Sequence, residues 1–494
     1  MPALAHGTIL EPARSIPVAA RPQVVVVGSG AGGYPAAISA ARNGADVLLI
    51  ERNAMVGGTG PMSFVTEFLS CENLSGIALE VAERLARAGG ATAQFRPEYF
   101  NLAFDPEILK LIVVDMLREA GVTILLHTMV VGALKDGDRV TGVVIENKSG
   151  RQAVLADVVI DASGDADVAT FAGAAMQPRE TPQPMMMLFR IGGVDWRTVD
   201  AYAHANPAEF VKSWGIPPGH FDGARCVHIG GWFALVKAAK ESGALPPDFG
   251  NYFSLFGATP SAIENGIGFI YAVRVLNRDA TDAADLSAAE IEGRLKARDL
   301  LPFLRTVPGL ESSFLIDMAP MIGVRDSRRI VGDYVLTADD IFAARRFDDE
   351  IAIKVHRGPT IKGWVRHPTD GSEGSKQHGL NEVPVSVLTV GIPYRCLLPS
   401  GLEGLIVVGK TVSFDAEAHQ RVRLMPECMA FGEAAGAAAA MAVAAGVRPR
   451  QLDPARLRAA LSNQGLNLDR EAIHLDAVKA MLAERGIQVT SSAE

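Results

Sequence analysis

An α/β fold built around one parallel strand–helix–strand unit, with a mixed α+β region inserted into it, is what this 494-residue chain predicts. Three observations lead there. The stretch from Val24 to Gly58 runs apolar strand, glycine loop, alanine-rich helix, apolar strand. Two later apolar segments, around Val158 and Leu405, are spaced and flanked as strands returning to the same sheet. Between about residues 176 and 388 the pattern changes to longer loops and mixed elements, and all four tryptophans, Trp196, Trp214, Trp232 and Trp364, fall there.

Val24 to Val27 are four consecutive valines, the apolar run of a strand covered on both faces. Gly28, Gly30 and Gly33 follow at G-x-G-x-x-G spacing, with Ser29, Ala31 and Gly32 between them, and Pro35-Ala36-Ala37-Ile38 opens the helix. Gly28 makes the tight turn, Gly30 lets backbone approach a pyrophosphate, and Gly33 lets helix and strand pack closely. The helix N-terminus offers N–H groups and a positive dipole end to the phosphates. Val47 to Ile50 is the second strand. It ends at Glu51-Arg52, with Glu51 lying 18 residues past Gly33, where an acid accepts a ribose hydroxyl. Residues 23–175 are therefore the first part of a dinucleotide-binding, Rossmann-like domain, preceded by a flexible tail over residues 1–22.

Ser75 to Ala88 has helical spacing, and Asp105-Pro106 begins a helix through Leu117, with Gly121 just beyond its end. Val122 to Leu126 is a strand. Met129 to Ala133 and Val140 to Glu146 form a hairpin around Asp136-Gly137. Val158 to Asp161 rejoins the parallel sheet, and Asp165 and Asp167 are expected to cap the helix starting near Val168. Met185 to Ile191 opens an inserted substrate or cap domain over residues 176–388. Residues 389–447 complete the dinucleotide domain through the strand Leu405 to Val408 and an alanine-rich helix behind Pro426, and residues 448–494 form a charged helical tail that permits a homo-oligomer.

Composition narrows the partners. A net charge of −9 and the absence of a long Lys/Arg run argue against nucleic acid. Cys71, Cys226, Cys396 and Cys428 form no C-x-x-C pair, which suits buried thiols in a reducing compartment. The proline-bearing first residues do not have the build of a signal peptide. The most apolar run, Met429 to Val447, is mostly Ala and Gly, which suits core packing better than a membrane span. A cytoplasmic protein is expected.

After Glu51-Arg52 comes Met55-Val56-Gly57-Gly58-Thr59-Gly60, and further on Ala156 to Asp165, Asp326-Ser327-Arg328-Arg329-Ile330-Val331-Gly332, Ile392-Pro393-Tyr394-Arg395, Leu405 to Gly409, and Met425-Pro426-Glu427-Cys428-Met429 with Gly432 and Gly436. In this order the motifs resemble the bacterial FAD-dependent oxidoreductases of the fumarate reductase-like and glutathione reductase-like flavoprotein superfamily. The resemblance implies FAD, held without a covalent link because no histidine lies near Gly57–Gly60. It implies FAD contacts from Gly58 and Thr59, from backbone at Val130 and Val131 beside the adenine, from Ala162, Ser163 and Gly164, and from Gly409, Met425 and Gly432. Lys410 stands where the family usually has Arg.

No second glycine fingerprint for a nicotinamide cofactor follows in the middle region, so the flavin is expected to exchange electrons with a small substrate, carboxylates among the candidates, and with another acceptor or donor. Electron-transfer subunits and NAD-linked enzymes are the competing classes, and the large inserted region favours an enzyme with its own substrate. The densest titratable run beside the flavin segment is Asp415 to Leu424. There His419 is a candidate general base, and Arg421 and Arg423 are candidate carboxylate clamps. Tyr394 and Arg395, before a returning strand, are second-rank candidates, with packing at the domain interface as the favoured alternative. Arg328 is a further candidate within Arg325 to Arg329, the rest of that run reading as interface charge. His356, His367 and His378 share a spacing of 11 residues with no carboxylates at metal-ligand positions, and no metal is expected.

Overall fold

The structure, a computed structural model, describes residues 8–91, 101–178, 183–210, 227–355, 382–473, 475–484 and 488–490. The valine run forms β1 (Val24–Val27), the helix after the glycines α1 (Gly33–Arg42), and the next apolar run β2 (Val47–Ile50). A short strand, β3 (Glu67–Leu69), comes next. Two helices, α2 (Gly76–Arg87) and α3 (Pro106–Glu119), follow, and Asp105 caps α3 by accepting from the N–H groups of Glu107 and Ile108. β4 (Thr123–Leu125) then enters the sheet, followed by the hairpin β5 (Met129–Asp136) and β6 (Arg139–Asn147), β7 (Gly150–Leu155), and β8 (Val158–Asp161).

The inserted region contributes β9 (Met185–Gly192), β10 (Val227–Gly231), β11 (Phe253–Ala258), β12 (Gly268–Val275), the helix α4 (Ala283–Leu304) and β13 (Phe314–Met318). The chain returns through β14 (Leu405–Val407), α5 (Ala416–Val422) and the long helix α6 (Met425–Ala445).

Two five-stranded sheets frame the site, while β5, β6 and β7 belong to a separate four-stranded sheet. The first is parallel and five-stranded, in the order β14-β8-β1-β2-β4, with Val158 to Asp161 in register against Val24 to Val27. Every residue of β1 is buried, as a strand covered on both faces requires. The second, antiparallel and also five-stranded, runs β10-β11-β12-β9-β13. It has its own core around Trp232, Phe253 and Phe303, separate from the core on which α1 and α6 lie.

The alanine-rich helix explains its own composition. Its small residues let it lie against α1: a Cβ at Gly432 would sit 2.1 Å from the Gly32 carbonyl, and one at Gly436 would sit 2.2 Å from that of Ala36. Ser39 Oγ donates to the Glu433 carbonyl at 2.8 Å. By length and composition α6 is apolar enough to cross a membrane, but 72% of its most apolar window is buried inside the molecule.

Three expectations change. The end of the N-terminal tail is tied down, because Val18–Ala20 forms a strand parallel to β7. Asp165 and Asp167 are not helix caps. The helix at Asp167–Ala172 takes its first bonds from Ser163 Oγ, which accepts from the Asp167 N–H, and from Asp161, which accepts from the Ala169 N–H. Asp165 and Asp167 instead pair with Lys410 and Arg328. The C-terminal tail also contains a strand, Gln488–Thr490, paired with Glu382–Pro384. Of the cysteines, Cys71, Cys396 and Cys428 are buried free thiols, while Cys226 lies outside the described residues, as do Trp214, Trp364, His356, His367 and His378.

Glu433 makes one measurable stability claim. Its carboxylate accepts from the Ile77 N–H at 2.8 Å across the start of α2, and burial pushes its pKa up from 4.5 to about 7. The folded state then holds a proton that the unfolded state has lost, so this group's contribution worsens as pH rises from 4.5 to about 7 and stays at its worst above that. A Glu433→Gln variant is expected to melt above the wild type at pH 8, by up to about 3 kcal/mol, and to match it near pH 4.5. Thermal melts across pH check this, and an advantage independent of pH would refute it.

Candidate cofactor and substrate cleft

At the carboxyl end of the parallel sheet the chain opens into a cleft of about 2040 Å³, its open mouth included. The floor is the glycine loop. Gly28 has φ +95° and its N–H donates to the Ile50 carbonyl at 2.7 Å; a Cβ there would lie 2.3 Å from the Ala162 carbonyl. Gly33 is closer still, since its Cβ would lie 1.8 Å from the Gly28 carbonyl. These contacts hold the turn, the start of α1 and the end of β8 together. Gly32, the N-cap of α1, brings no side-chain cap, and Gly28, Ser29, Gly30, Ala31 and Gly32 all line the cleft.

Glu51 is fixed at the tip of β2. Oε2 accepts from the backbone N–H and Oγ of Ser29 at 2.8 and 2.6 Å, and Oε1 accepts from the N–H and Nδ2 of Asn53 at 2.9 and 2.7 Å. Arg52 lines the same wall, and across from it Gly58 and Thr59 line the cleft where Gly58 packs against Gly30.

Other predicted residues divide by geometry. Met129 and Val130, two successive residues at the start of β5, line the cleft, and Val131 does not. Ala162, Ser163, Gly164, Gly409 and Met425 line it. Gly33 and Gly432 do not; both are sites of close backbone packing behind the wall. Lys410, in the place of the family's Arg, bridges two loops by donating to the Gly164 carbonyl and lying 3.2 Å from Asp165 Oδ1. The start of α6 also faces the cleft through Leu424, Met425 and Cys428. Its N-cap brings no side-chain cap, and burial pushes the Cys428 thiol up to about 12.

Of the three catalytic candidates, only Arg423 lines the cleft, where it donates to Gln183 Oε1 at 3.0 Å. His419 is 0% exposed on α5, with Nδ1 3.9 Å from Asp326 Oδ1. Burial, together with the nearby charges of Arg423, Arg329 and Lys410, holds its imidazole well below the ordinary value and hence neutral. Arg421 turns away as well, pairing with Glu417 at 2.8 Å and lying 5.0 Å over the Phe342 ring. Sequence proximity to the flavin segment put these residues on one short helix, and that helix presents them to the protein interior. Arg328 likewise binds the Asp165 carbonyl and Asp167 rather than the cleft. Arg395 pairs with Asp349, and Tyr394 donates to the Pro449 carbonyl at 3.3 Å.

The far end of the cleft is made by residues the sequence did not single out for it. Glu67 of β3 lines it and is 1% exposed, and its Oε2 lies 3.2 Å from Nδ1 of His228 on β10. His228 meets the Phe256 ring edge-on at 4.8 Å, and Phe256 stacks on Tyr271 at 5.5 Å. Phe256 and Tyr271 line this chamber with Leu69, Met186, Leu188 and Arg325. Glu67 and His228 are 161 positions apart, so no local spacing links them. Arg325 belongs to the run in which the sequence points to Arg328 and reads the rest as interface charge; the structure forms no strand there and turns Arg325, not Arg328, to the cleft. Among the described residues no group of His, Cys, Asp and Glu is arranged to hold a metal.

The cleft suits a long guest in two parts, a phosphate-bridged dinucleotide along the glycine loop and a smaller molecule beyond it, which is how a cofactor-dependent redox enzyme is laid out. Residues 23–461 match the model of the family described as FAD dependent oxidoreductase, and the chain belongs to that family. It is an oxidoreductase whose cofactor is FAD.

Solved structures with a similar path include a geranylgeranyl bacteriochlorophyll reductase-like protein of Thermoplasma acidophilum, 13% identical over 94% of this chain and 96% of that one, with a TM-score of 0.48. The flavin-dependent brominase Bmp2 is 14% identical over 90% of this chain and 83% of its own, with a TM-score of 0.45. The myxobacterial chondrochloren halogenase CndH is 14% identical over 90% and 79%, with a TM-score of 0.43. Among curated proteins none matches this sequence.

The residues present fit the cofactor. A Cβ on Gly30 would have only Gly58 Cα, at 3.8 Å, within 4 Å, so the backbone there is open to an approaching pyrophosphate. The uncapped start of α1 lies beside it, and Glu51, bonded to the Ser29 N–H, lines the same cleft.

Proposed function

We propose that this enzyme oxidises or reduces a small organic molecule in the far chamber, by hydride transfer between a substrate carbon and N5 of non-covalently bound FAD. The observation that carries this reading is the continuity of one cleft from Gly28–Gly32 to Glu67, Tyr271 and Arg325. The broader kinship with fumarate reductase-like and glutathione reductase-like flavoproteins rests on the order of motifs from Gly57-Gly58 to Gly432.

Bound flavin supplies the acceptor or donor for the electron pair. The protein's residues do the rest. The N-terminus of α1 and the Gly30 backbone bind the phosphates. Glu51 already accepts four hydrogen bonds, about the capacity of a carboxylate, so a ribose hydroxyl joins it by displacing Ser29 Oγ, which is free to rotate. The uncapped start of α6 offers N–H groups and a positive dipole end to negative charge on the reduced cofactor. Glu67, oriented by His228, takes the proton that an O–H or N–H releases when the neighbouring carbon gives up its hydride. The apolar wall keeps water from that exchange.

The purified protein is expected to show an oxidised flavin spectrum and to release FAD on acid treatment. Anaerobic mixing with a panel of small alcohols, amines and acids, or reoxidation of the reduced protein by them, is expected to identify a substrate. A holoprotein that exchanges electrons only with another protein, and with no small molecule, would overturn the proposal.

A further inference from the structure

Arg325 is the part of the chamber whose charge the fold does not balance. Its guanidinium donates to the Pro184 carbonyl and to the Tyr271 hydroxyl, both neutral, and lies 5.7 Å from the Tyr271 ring centroid. Burial pulls its pKa below the ordinary value, and the groups acting on it include Tyr271, a second cation, Arg274, and Tyr252. Among the described residues no carboxylate pairs with it. Other enclosed arginines show the contrast: Arg329 has Asp326 at 2.7 Å, and Arg190 and Arg470 are bonded to Asp317 and Glu350. Arg325 is half-buried at the cleft wall and an arginine keeps its proton in a protein, so its charge favours an anion in the chamber.

Beside this cation the chamber is flat and apolar. Phe256 and Tyr271 stack with an angle of 24° between their planes, both line the cleft, and Leu188, Met186, Ile322 and Val324 line it too. We propose that Arg325 and Tyr271 form the recognition site for a substrate carboxylate whose planar, apolar body lies against the Phe256 and Tyr271 side of the chamber. The assignment rests on this end of the cleft being the substrate chamber. It gives to Arg325 the clamp role that the sequence placed on Arg421 and Arg423. A guanidinium presents paired N–H donors in the plane that a carboxylate matches.

Benzoate and its neutral counterpart benzamide are the probes. Each is titrated into the FAD-loaded protein, followed by the flavin difference spectrum, and into the FAD-free protein, followed by calorimetry. Benzoate is expected to bind saturably and at least about 10-fold more tightly than benzamide. Arg325→Met is expected to weaken benzoate by about 10- to 100-fold and to leave benzamide and FAD loading unchanged, with Arg325→Lys in between. Equal affinity for the two probes, or benzoate binding that survives Arg325→Met, would overturn the proposal. If Arg325→Met does not fold, the wild-type benzoate-to-benzamide ratio and the Arg325→Lys variant decide it. A protein that takes up no FAD contradicts the cofactor reading instead, whereas one that loads FAD and ignores charge in the probe contradicts the Arg325 assignment alone.

Discussion

A Gly30→Ala variant is expected to fold with the stability of the wild type and to be purified without colour. The added methyl has no neighbour closer than 3.8 Å in the protein itself, so it strains neither the loop nor α1. The space it takes belongs to the cleft, on the side where we place the cofactor's pyrophosphate. FAD affinity is expected to fall by about 100-fold or more, which is over about 2.7 kcal/mol. Gly33→Ala should behave differently. Its methyl would lie 1.8 Å from the Gly28 carbonyl, so the damage falls on folding as well as on binding. Melting of the FAD-free proteins and FAD titration followed by fluorescence quenching separate the two effects. A Gly30→Ala protein that binds FAD as the wild type does would mean that the phosphates do not cross this residue.

Glu67→Gln is expected to have the largest effect on chemistry. Glutamine has nearly the same shape and keeps a hydrogen bond to His228, but it cannot accept the substrate's proton. With the substrate that reduces the wild type, flavin reduction should slow by about 10²- to 10³-fold, while FAD binding stays unchanged and substrate affinity shifts only a few-fold. His228→Gln acts one step removed, through the orientation of Glu67, and should cost less. Stopped-flow absorbance under anaerobic conditions measures both. An unchanged rate in Glu67→Gln would leave the carboxylate a structural part of the chamber wall.

The cofactor half of this protein was legible because its constraints are local. Four valines, three glycines at fixed spacing and an acid at the end of the next strand are dictated by one strand–loop–helix unit, and the structure has each in place. The alanine-rich helix was legible for a similar reason, since small residues record a close approach. Even there the sequence did not separate glycines that face the cleft from those that pack behind it, Gly33 and Gly432, because both must lack a side chain. The substrate half was hidden because the antiparallel sheet assembles it. β10, β11 and β12 set His228, Phe256 and Tyr271 along one wall, and Glu67 reaches them from a strand belonging to another part of the chain. Such a group leaves no spacing to read. The helix Ala416–Val422 shows the opposite hazard, where His419 and Arg421, crowded in sequence beside the flavin segment, face the interior near Asp326 and Glu417.

The parallel sheet takes β1, β2, β4 and β8 from residues 24–161 and its last strand only from Leu405–Val407, and α6, which packs on α1, comes later still. During synthesis the glycine loop leaves the ribosome hundreds of residues before the strand and helix that close its other side. Burial of α1 waits for that distant segment, so the nascent chain carries an unfinished half-site with exposed apolar surface throughout translation of the insert. Cofactor loading therefore follows synthesis of the segment from Leu405 to Ala445, and FAD supply at that moment acts as a folding ligand, drawing the newly closed state forward by mass action.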